Sequence, residues 1–489
     1  MRLRPQSKIK NRKSKVALDL LRNYESRNVT FLEPDGSWPI VWERARGVHV
    51  WDAEGRKYLD LTAAFGVAAA GHANPRVVRA GQTQMARLLH AMGDVHPHAL
   101  KARLARALSR LTFERWAGPP PAAEVSFTPD ARPSSQLARH DSASAGKTIF
   151  CNSGFEAVEA ALKTAMLATG KPGVIAFAGA YHGLGYGALN ATHRGHFRSP
   201  FLQQLGDFGL FVPFPAMEMT SGSSRASGGR PNRQPPDTLS SLDAVEAQIR
   251  RLFKRNQIGA VLVEPIQVRG GINIPPPDFL PRLRHLCNEY GAVLILDEIY
   301  TGFGRTGRWF ACEHSDTVPD VICVGKALTG GFPLSACVGR SALMDAAWPA
   351  SNGEAIHTST YLGHPVGCAM ALAQIHEIQT QELVARSAKL GGFLLRALSA
   401  IKPPRSNLAS SVRGCGLLAG VELCRPDGSP ATEPVLRALK QLLHRGFIFL
   451  PEGEHANVIS FTPPLTISRA QLLSAVNAVE EILTTDERG

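Results

Sequence analysis

The stretch "DVICVGKALTGG", Asp320 to Gly331, carries a run of apolar residues into Lys326 and then turns on two glycines. A lysine closing a buried strand is costly. Desolvation penalises the ammonium and drives it toward a nucleophilic free amine. From a strand end it could also snorkel to solvent, so other groups must decide its role. The run "AVLILDE" ends in Asp297, and a buried aspartate needs a cationic or hydrogen-bonding partner. In "CNSGFEAVEAAL", Ser153 and Gly154 stand where a helix begins. Serine caps such a start, and glycine lets a ligand approach the backbone. Free N–H groups with the helix dipole suit a phosphate. "AGAYHGLGYG" leaves Tyr181 and His182 among glycines at another strand end, where an aromatic can stack on a planar ring. Each feature alone has an ordinary explanation: a capped helix, a core aromatic, a paired acid. Together they fit pyridoxal phosphate, which needs a Schiff-base lysine, an acid partner for its pyridinium nitrogen and an anchor for its phosphate.

The elements that must position these groups read as short buried strands over 146–152, 173–179, 258–265, 292–298 and 320–325, with helices over 155–169 and 279–291. Continuous apolar strands alternating with helices imply an α/β fold built on a largely parallel sheet covered on both faces. Ligands then sit beyond the C-terminal strand ends. Past Tyr361 the pattern shifts to long helices and a few strands, and "VHVWDAEGRKYLDL" reads as a hairpin. Gly302, Gly304 and Gly307 match G-x-G-x-x-G, but no helical period follows them. A dinucleotide site lacks its helix there.

Among 489 residues, 44% are hydrophobic, and no apolar run approaches the roughly 18 residues of a membrane span. The net charge of +13 is concentrated in residues 1–16, which hold seven Lys or Arg and no acid. With no aromatics interleaved for base stacking, this arm is expected to be solvated and disordered, without a nucleic-acid partner. The eight cysteines form no CxxC pair, which disfavours a zinc ribbon and suits free thiols in a reducing cytoplasm. Nothing at the N-terminus reads as a secretory signal. His96 and His98 lack a third ligand nearby, so no metal site is read. Segments near 116–147 and 219–241 are rich in Pro, Ser, Gly and Arg and read as mobile surface inserts.

The motifs "GHANP", "NSGFEAVEAALK", "AYHG", "VEPIQ", "LDEIYTGFGRTG", "VGKALTGGFPLSA", "STYLGHPVGCAMALA" and "RGCGLLAGVEL" follow one another in order. In them the chain resembles the class III aminotransferases, the ornithine and 4-aminobutyrate aminotransferase group of fold-type I pyridoxal-phosphate enzymes, from about residue 45 to 485. The resemblance implies a large domain over 81–355 with a mostly parallel sheet. It also implies a smaller α+β domain built from residues 31–80 and 356–489, after an arm at 1–30. Lys326 would hold the cofactor and shuttle a proton, and Asp297 would keep the pyridine nitrogen protonated. Tyr181 and Ile299 would cover the two ring faces, and Ser153, Gly154 and Phe155 would bind the phosphate. Gln267 and Glu264 would support the ring hydroxyl and the Tyr181–His182 segment. Thr360 would reach the phosphate of a neighbouring subunit in a homodimer with shared active sites. The implied reaction moves an amino group from an amine or amino acid to a keto acid or aldehyde in the cytoplasm. An aminomutase, racemase or amine lyase on the same scaffold uses the same residues and is the alternative.

The chain departs from the family at its substrate positions. Where glutamate-using members often read "EPxQGE", this chain reads "EPIQVRGG", with Arg269 in the glutamate's place. Where they carry an arginine in "xRFxPPL", it reads "ISFTPPL", with Ser460. Arg269 is therefore a candidate for the substrate's acidic group, since guanidinium suits carboxylate, phosphonate or sulfonate. It could equally pair within the protein. Leu184 replaces an arginine common after "YHG", and Tyr300 replaces a glutamine. Arg194 and Arg198 are further cations near this region, read mainly as surface residues.

Overall fold

The computed structural model describes residues 12–34, 38–118, 145–215, 241–401 and 408–484. Its centre is a seven-stranded sheet. The strand order is Gly146–Cys151, Ser335–Arg340, Val321–Val324, Val293–Asp297, Ile258–Val263, Gly173–Phe177 and Gly209–Val212. Ser335–Arg340 runs antiparallel to both its neighbours, and every other pairing is parallel. The five strands read from the sequence are all present. The edge strand Gly209–Val212 and the antiparallel Ser335–Arg340 are additions to that reading.

The strands are apolar throughout because both faces are covered. Val174, Ala176, Ala260, Leu262, Val293 and Ile295 pack toward helix Gly154–Thr169, whose inner side is Ala157, Ala160 and Ala161. The alternate residues Ile175, Phe177, Val261, Val263, Leu294 and Leu296 join the larger core, with helices Ala99–Leu111, Leu242–Arg255 and Phe279–Tyr290. The last of these helices stops on Gly291, which takes φ of 64°, a left-handed close that glycine makes readily.

Two smaller sheets complete the described chain. One has the order Ala409–Cys415, Leu418–Cys424, Val458–Phe461, Leu450–Glu452. In the other, Trp42–Arg46, His49–Asp52 and Lys57–Asp60 form a meander, and Phe447–Ile448 adds in parallel to Lys57–Asp60. No helix among the described residues is long and apolar enough to cross a membrane.

The basic arm is not all irregular: Arg12–Tyr24 forms a helix, where composition suggests disorder. It is tethered by Ser14, whose N–H donates to Glu54 at 2.9 Å and whose hydroxyl donates to the same carboxylate at 2.5 Å. Leu18, on the helix's inner side, is buried. The buried leucine and the two hydrogen bonds from Ser14 to Glu54 pin the helix to the rest of the chain, contacts that the charge count does not reveal. Most of the two expected inserts, 119–144 and 216–240, lies outside the described residues.

Candidate active site

Because the central strands run parallel, their C-terminal ends share one edge of the sheet, and the singled-out residues emerge there. Gly325 and Lys326 leave Val321–Val324 at that edge. Lys326 takes φ of 41°, a left-handed conformation that costs a non-glycine residue roughly 1–2 kcal/mol. Its partly buried Nζ lies 4.1 Å from the centroid of the Tyr300 ring. Desolvation draws the amine down to about 8. Asp297, Glu264 and Glu452 oppose the shift, and Arg269 adds to it. A lysine so placed exchanges between ammonium and free amine near neutral pH.

Asp297 ends the neighbouring strand and is buried. One carboxylate oxygen accepts from His182 Nδ1 at 2.8 Å, and the other accepts the Ile299 N–H at 3.1 Å. His182 Nε2 is enclosed without a partner. Glu264, beyond strand Ile258–Val263, accepts the Tyr181 N–H at 3.0 Å. Burial pushes its carboxyl up to about 7. His182 and Lys326 pull it down, and Asp297 reinforces the rise. Burial likewise raises the Tyr181 phenol. Gln267 is buried and donates to the Ala178 C=O at 2.8 Å, fixing the chain just before Tyr181.

Helix Gly154–Thr169 begins at Ser153, whose side chain makes no capping bond. Its Oγ is buried and has no partner, while its C=O accepts from Ser335 at 2.6 Å. A Cβ on Gly154 would stand 3.1 Å from Ile299 Cδ1, and one on Gly183 only 2.4 Å from Phe155 Cβ. The helix start, the Tyr181–Gly183 turn and Ile299 therefore close on one another because glycine occupies both positions. This is an open helix N-terminus with an unsatisfied hydroxyl, the physical makings of an anion site.

Arg269 does not point to solvent. Its Nη1 donates to Glu452 Oε2 at 3.0 Å, and its guanidinium lies 5.9 Å from the Tyr181 ring centroid. Glu452 is only 1% exposed, and its Oε1 has no partner. Arg194 is half-buried rather than superficial, and its guanidinium donates to the Arg269 C=O. Glu452 escaped the sequence reading, because a glutamate in "LPEGEH" carries no local signal. Its strand pairing supplies one: Glu452 sits opposite Val458 and Leu450 opposite Ser460, so Glu452 shares a face with buried Ser460. Tyr300 is buried, its hydroxyl 3.4 Å from Thr462 Oγ1. Thr360 stands apart from this constellation. It is exposed on the segment before helix Pro365–Thr380 and makes no hydrogen bond to the groups above.

Residues 32–483 match the family described as aminotransferase class-III. The acetylornithine aminotransferase of Methanosarcina mazei is 33% identical over 91% of this chain and 92% of its own length. The 5-aminovalerate aminotransferase DavT of Pseudomonas aeruginosa is 34% identical over 89% and 91%. Among solved structures, an amine transaminase from an uncultivated Pseudomonas species in its PLP-bound form has a TM-score of 0.76. It is 26% identical and covers 94% of this chain and 97% of that one. A family match that spans almost the whole chain, beside relatives above 30% identity, makes this protein a member of the class III aminotransferases, enzymes that transfer amino groups.

Proposed function

We propose that the chain uses pyridoxal phosphate, held by Lys326, to move an amino group from an acid-bearing amine or amino acid to a keto acid or aldehyde. The observation that carries this reading is the lowered amine of Lys326 beside the buried Asp297–His182 pair, at the same sheet edge as an uncapped helix start. The residues present fit the cofactor. The partnerless Ser153 hydroxyl suits a phosphate, as do the first N–H groups of the helix, which have no intrahelical acceptor. The Tyr181 ring and Ile299 offer two faces for a flat ring.

When bound, pyridoxal phosphate supplies an electron sink for a carbanion next to the transferred nitrogen. The protein does the rest. Lys326 Nζ would hold the cofactor, and as a free amine it would take the proton from the substrate carbon and return it. Its lowered basicity keeps a useful fraction in the free-amine form. Asp297 would keep the ring nitrogen protonated, and His182 Nδ1, 2.8 Å from its Oδ2, fixes the carboxylate's direction. Glu264 and Gln267 hold the chain that presents Tyr181. Arg269 receives the donor's acidic group.

The reading extends to a homodimer in which Thr360 reaches the phosphate site of a second copy. Thr360 is exposed on its own chain. On its own segment and on the 88–94 stretch, which meets that segment through Asp94–Thr358 and His90–Tyr361, Leu89, Met92, Ile356 and Tyr361 leave apolar side chains in solvent, a composition suited to an interface. Sedimentation at twice the chain mass is expected, and a monomer would refute this part.

The chemistry is tested by reconstituting the protein with pyridoxal phosphate and recording its visible spectrum. Amine donors are then added without acceptor. A yellow band that Lys326→Ala abolishes, and that a donor bleaches, is expected. Absence of the band after reconstitution would refute the role of Lys326.

A further inference from the structure

We infer that Asp60 is a positioning residue for Lys326: with His72 it holds residues 63–66 in a left-handed turn, and that turn seats the Tyr300 ring on the lysine's amine. The inference rests on the reading of Lys326 as the reacting amine and adds what keeps its surroundings in place.

The turn is costly by itself. Ala63, Ala64 and Phe65 take φ of 46°, 48° and 61°, and Gly66 follows at 81°. The left-handed region penalises every residue that carries a Cβ. Three such residues in succession persist only where their surroundings over-determine them, and strain of this kind gathers at functional sites.

Asp60 supplies that determination. It ends strand Lys57–Asp60 and is fully enclosed. Its Oδ1 accepts the Thr62 N–H at 2.8 Å and the Thr62 hydroxyl at 2.6 Å, and its Oδ2 accepts the Ala64 N–H at 3.2 Å. His72 Nε2 donates to the same Oδ2 at 2.7 Å. His72 is itself pinned, its N–H and C=O both bonded to Gly47. The buried Arg305 guanidinium, held by the Leu417 and Pro463 C=O groups, senses both Asp60 and Tyr300 through space. The "GHANP" motif supplies no group to the sheet edge, and its histidine acts here instead.

The turn meets Tyr300 at two points. A Cβ on Gly66 would stand 3.0 Å from Tyr300 Cε1, so glycine lets the backbone lie against the ring. At the start of the turn the Thr62 C=O accepts from Thr462 Oγ1 at 3.2 Å, and that Oγ1 lies 3.4 Å from the Tyr300 hydroxyl. The Tyr300 ring in turn faces Lys326 Nζ, 4.1 Å from its centroid. One chain of contacts thus runs from Asp60 through the turn and the ring to the amine. The ring attracts an ammonium and also keeps water from it. Burial is the larger influence on this amine, ahead of Asp297, Glu264 and Glu452, which raise its basicity, and Arg269, which lowers it. Loosening the ring therefore wets the amine and returns it toward an ordinary lysine.

The test titrates the amine without cofactor. Acetic anhydride labels the cofactor-free protein at a series of pH values, and mass spectrometry of the Lys326 peptide reads the fraction acetylated. The wild-type midpoint is expected at about 8. Asp60→Asn should move it upward by about one unit. Loss of a negative charge alone would move it down, so the direction separates the turn from simple electrostatics. Adding Ala64→Gly to Asp60→Asn removes part of the strain and should bring the midpoint back toward wild type. Should Asp60→Asn fold poorly, Gly66→Ala leaves Asp60 intact, presses a methyl against Tyr300 and should raise the midpoint likewise. An unchanged or lowered midpoint in Asp60→Asn, or in Gly66→Ala where it stands in, overturns the inference. So does a midpoint that stays raised after Ala64→Gly, which would assign Asp60 to the fold at large. A midpoint that rises and returns in a protein forming no yellow band with pyridoxal phosphate would uphold the turn and refute the cofactor reading of Lys326 instead.

Discussion

His182 Nδ1 and Asp297 Oδ2 lie 2.8 Å apart, both side chains enclosed, and the far nitrogen of the histidine meets no partner. The carboxylate accepts, so Nδ1 carries the hydrogen. Among the described residues, Asp297 has, apart from His182, only the Ile299 N–H. Replacing His182 with Phe leaves a buried carboxylate with half its support, at a cost of about 1–3 kcal/mol. Chemical denaturation of the cofactor-free protein should show that loss. Asp297→Asn should instead preserve the fold and lower kcat about 100-fold, typical of removing one preorganised electrostatic partner. A full-rate Asp297→Asn enzyme would remove Asp297 from the chemistry.

Ser153 illustrates a site that trades stability for binding. Its hydroxyl is buried without a partner at an uncapped helix start. An orphaned polar atom costs stability that alanine does not. Ser153→Ala should therefore leave the cofactor-free protein as stable as wild type or more so, by up to about 1 kcal/mol. Its affinity for pyridoxal phosphate should fall about tenfold, the loss of one hydrogen bond to a charged group. Both quantities come from thermal melts with and without cofactor. A melt in which the variant loses stability but binds normally would assign Ser153 to the fold alone.

Lys326 sets a pH signature. An ordinary lysine releases its proton near 10.4, whereas burial brings this one to about 8. Below that value the ammonium dominates and above it the free amine. Capture of pyridoxal phosphate by the cofactor-free protein, followed as growth of the yellow band, should accelerate with pH and level off a little above 8. A rate still climbing toward pH 10 would mean that the amine is solvated.

Much of this site is legible in the sequence, because its groups stand where apolar strands stop. Lys326 and Asp297 each follow an apolar run, and a parallel sheet brings such ends to one edge without further information. Strand Ser335–Arg340 lies between Gly146–Cys151 and Val321–Val324, yet its small residues "SACVGR" carry little strand preference by themselves. It becomes a strand by pairing on both sides, a tertiary effect. Glu452 is hidden for a related reason. Its meaning lies in Arg269, 183 positions away, and no local periodicity encodes that meeting. The helix at Arg12–Tyr24 depends likewise on Glu54, 40 positions on.

Glu264 offers a stability test whose sign is fixed by its surroundings. Burial pushes its carboxyl up to about 7, while the unfolded chain releases that proton near 4.3. Between these values the folded protein holds a proton that the unfolded chain has lost. The group's contribution to stability therefore falls as pH rises through the window. Glutamine cannot titrate, yet it can still accept the Tyr181 N–H that Glu264 accepts at 3.0 Å. The stability of Glu264→Gln relative to wild type should thus rise between pH 4.5 and 7, by up to about 3 kcal/mol, and flatten above. Denaturant midpoints of the cofactor-free proteins across that range measure it. Parallel curves for the two proteins would show that Glu264 ionises as freely in the folded chain as in water, and its buried place beside Tyr181 would then need another cause.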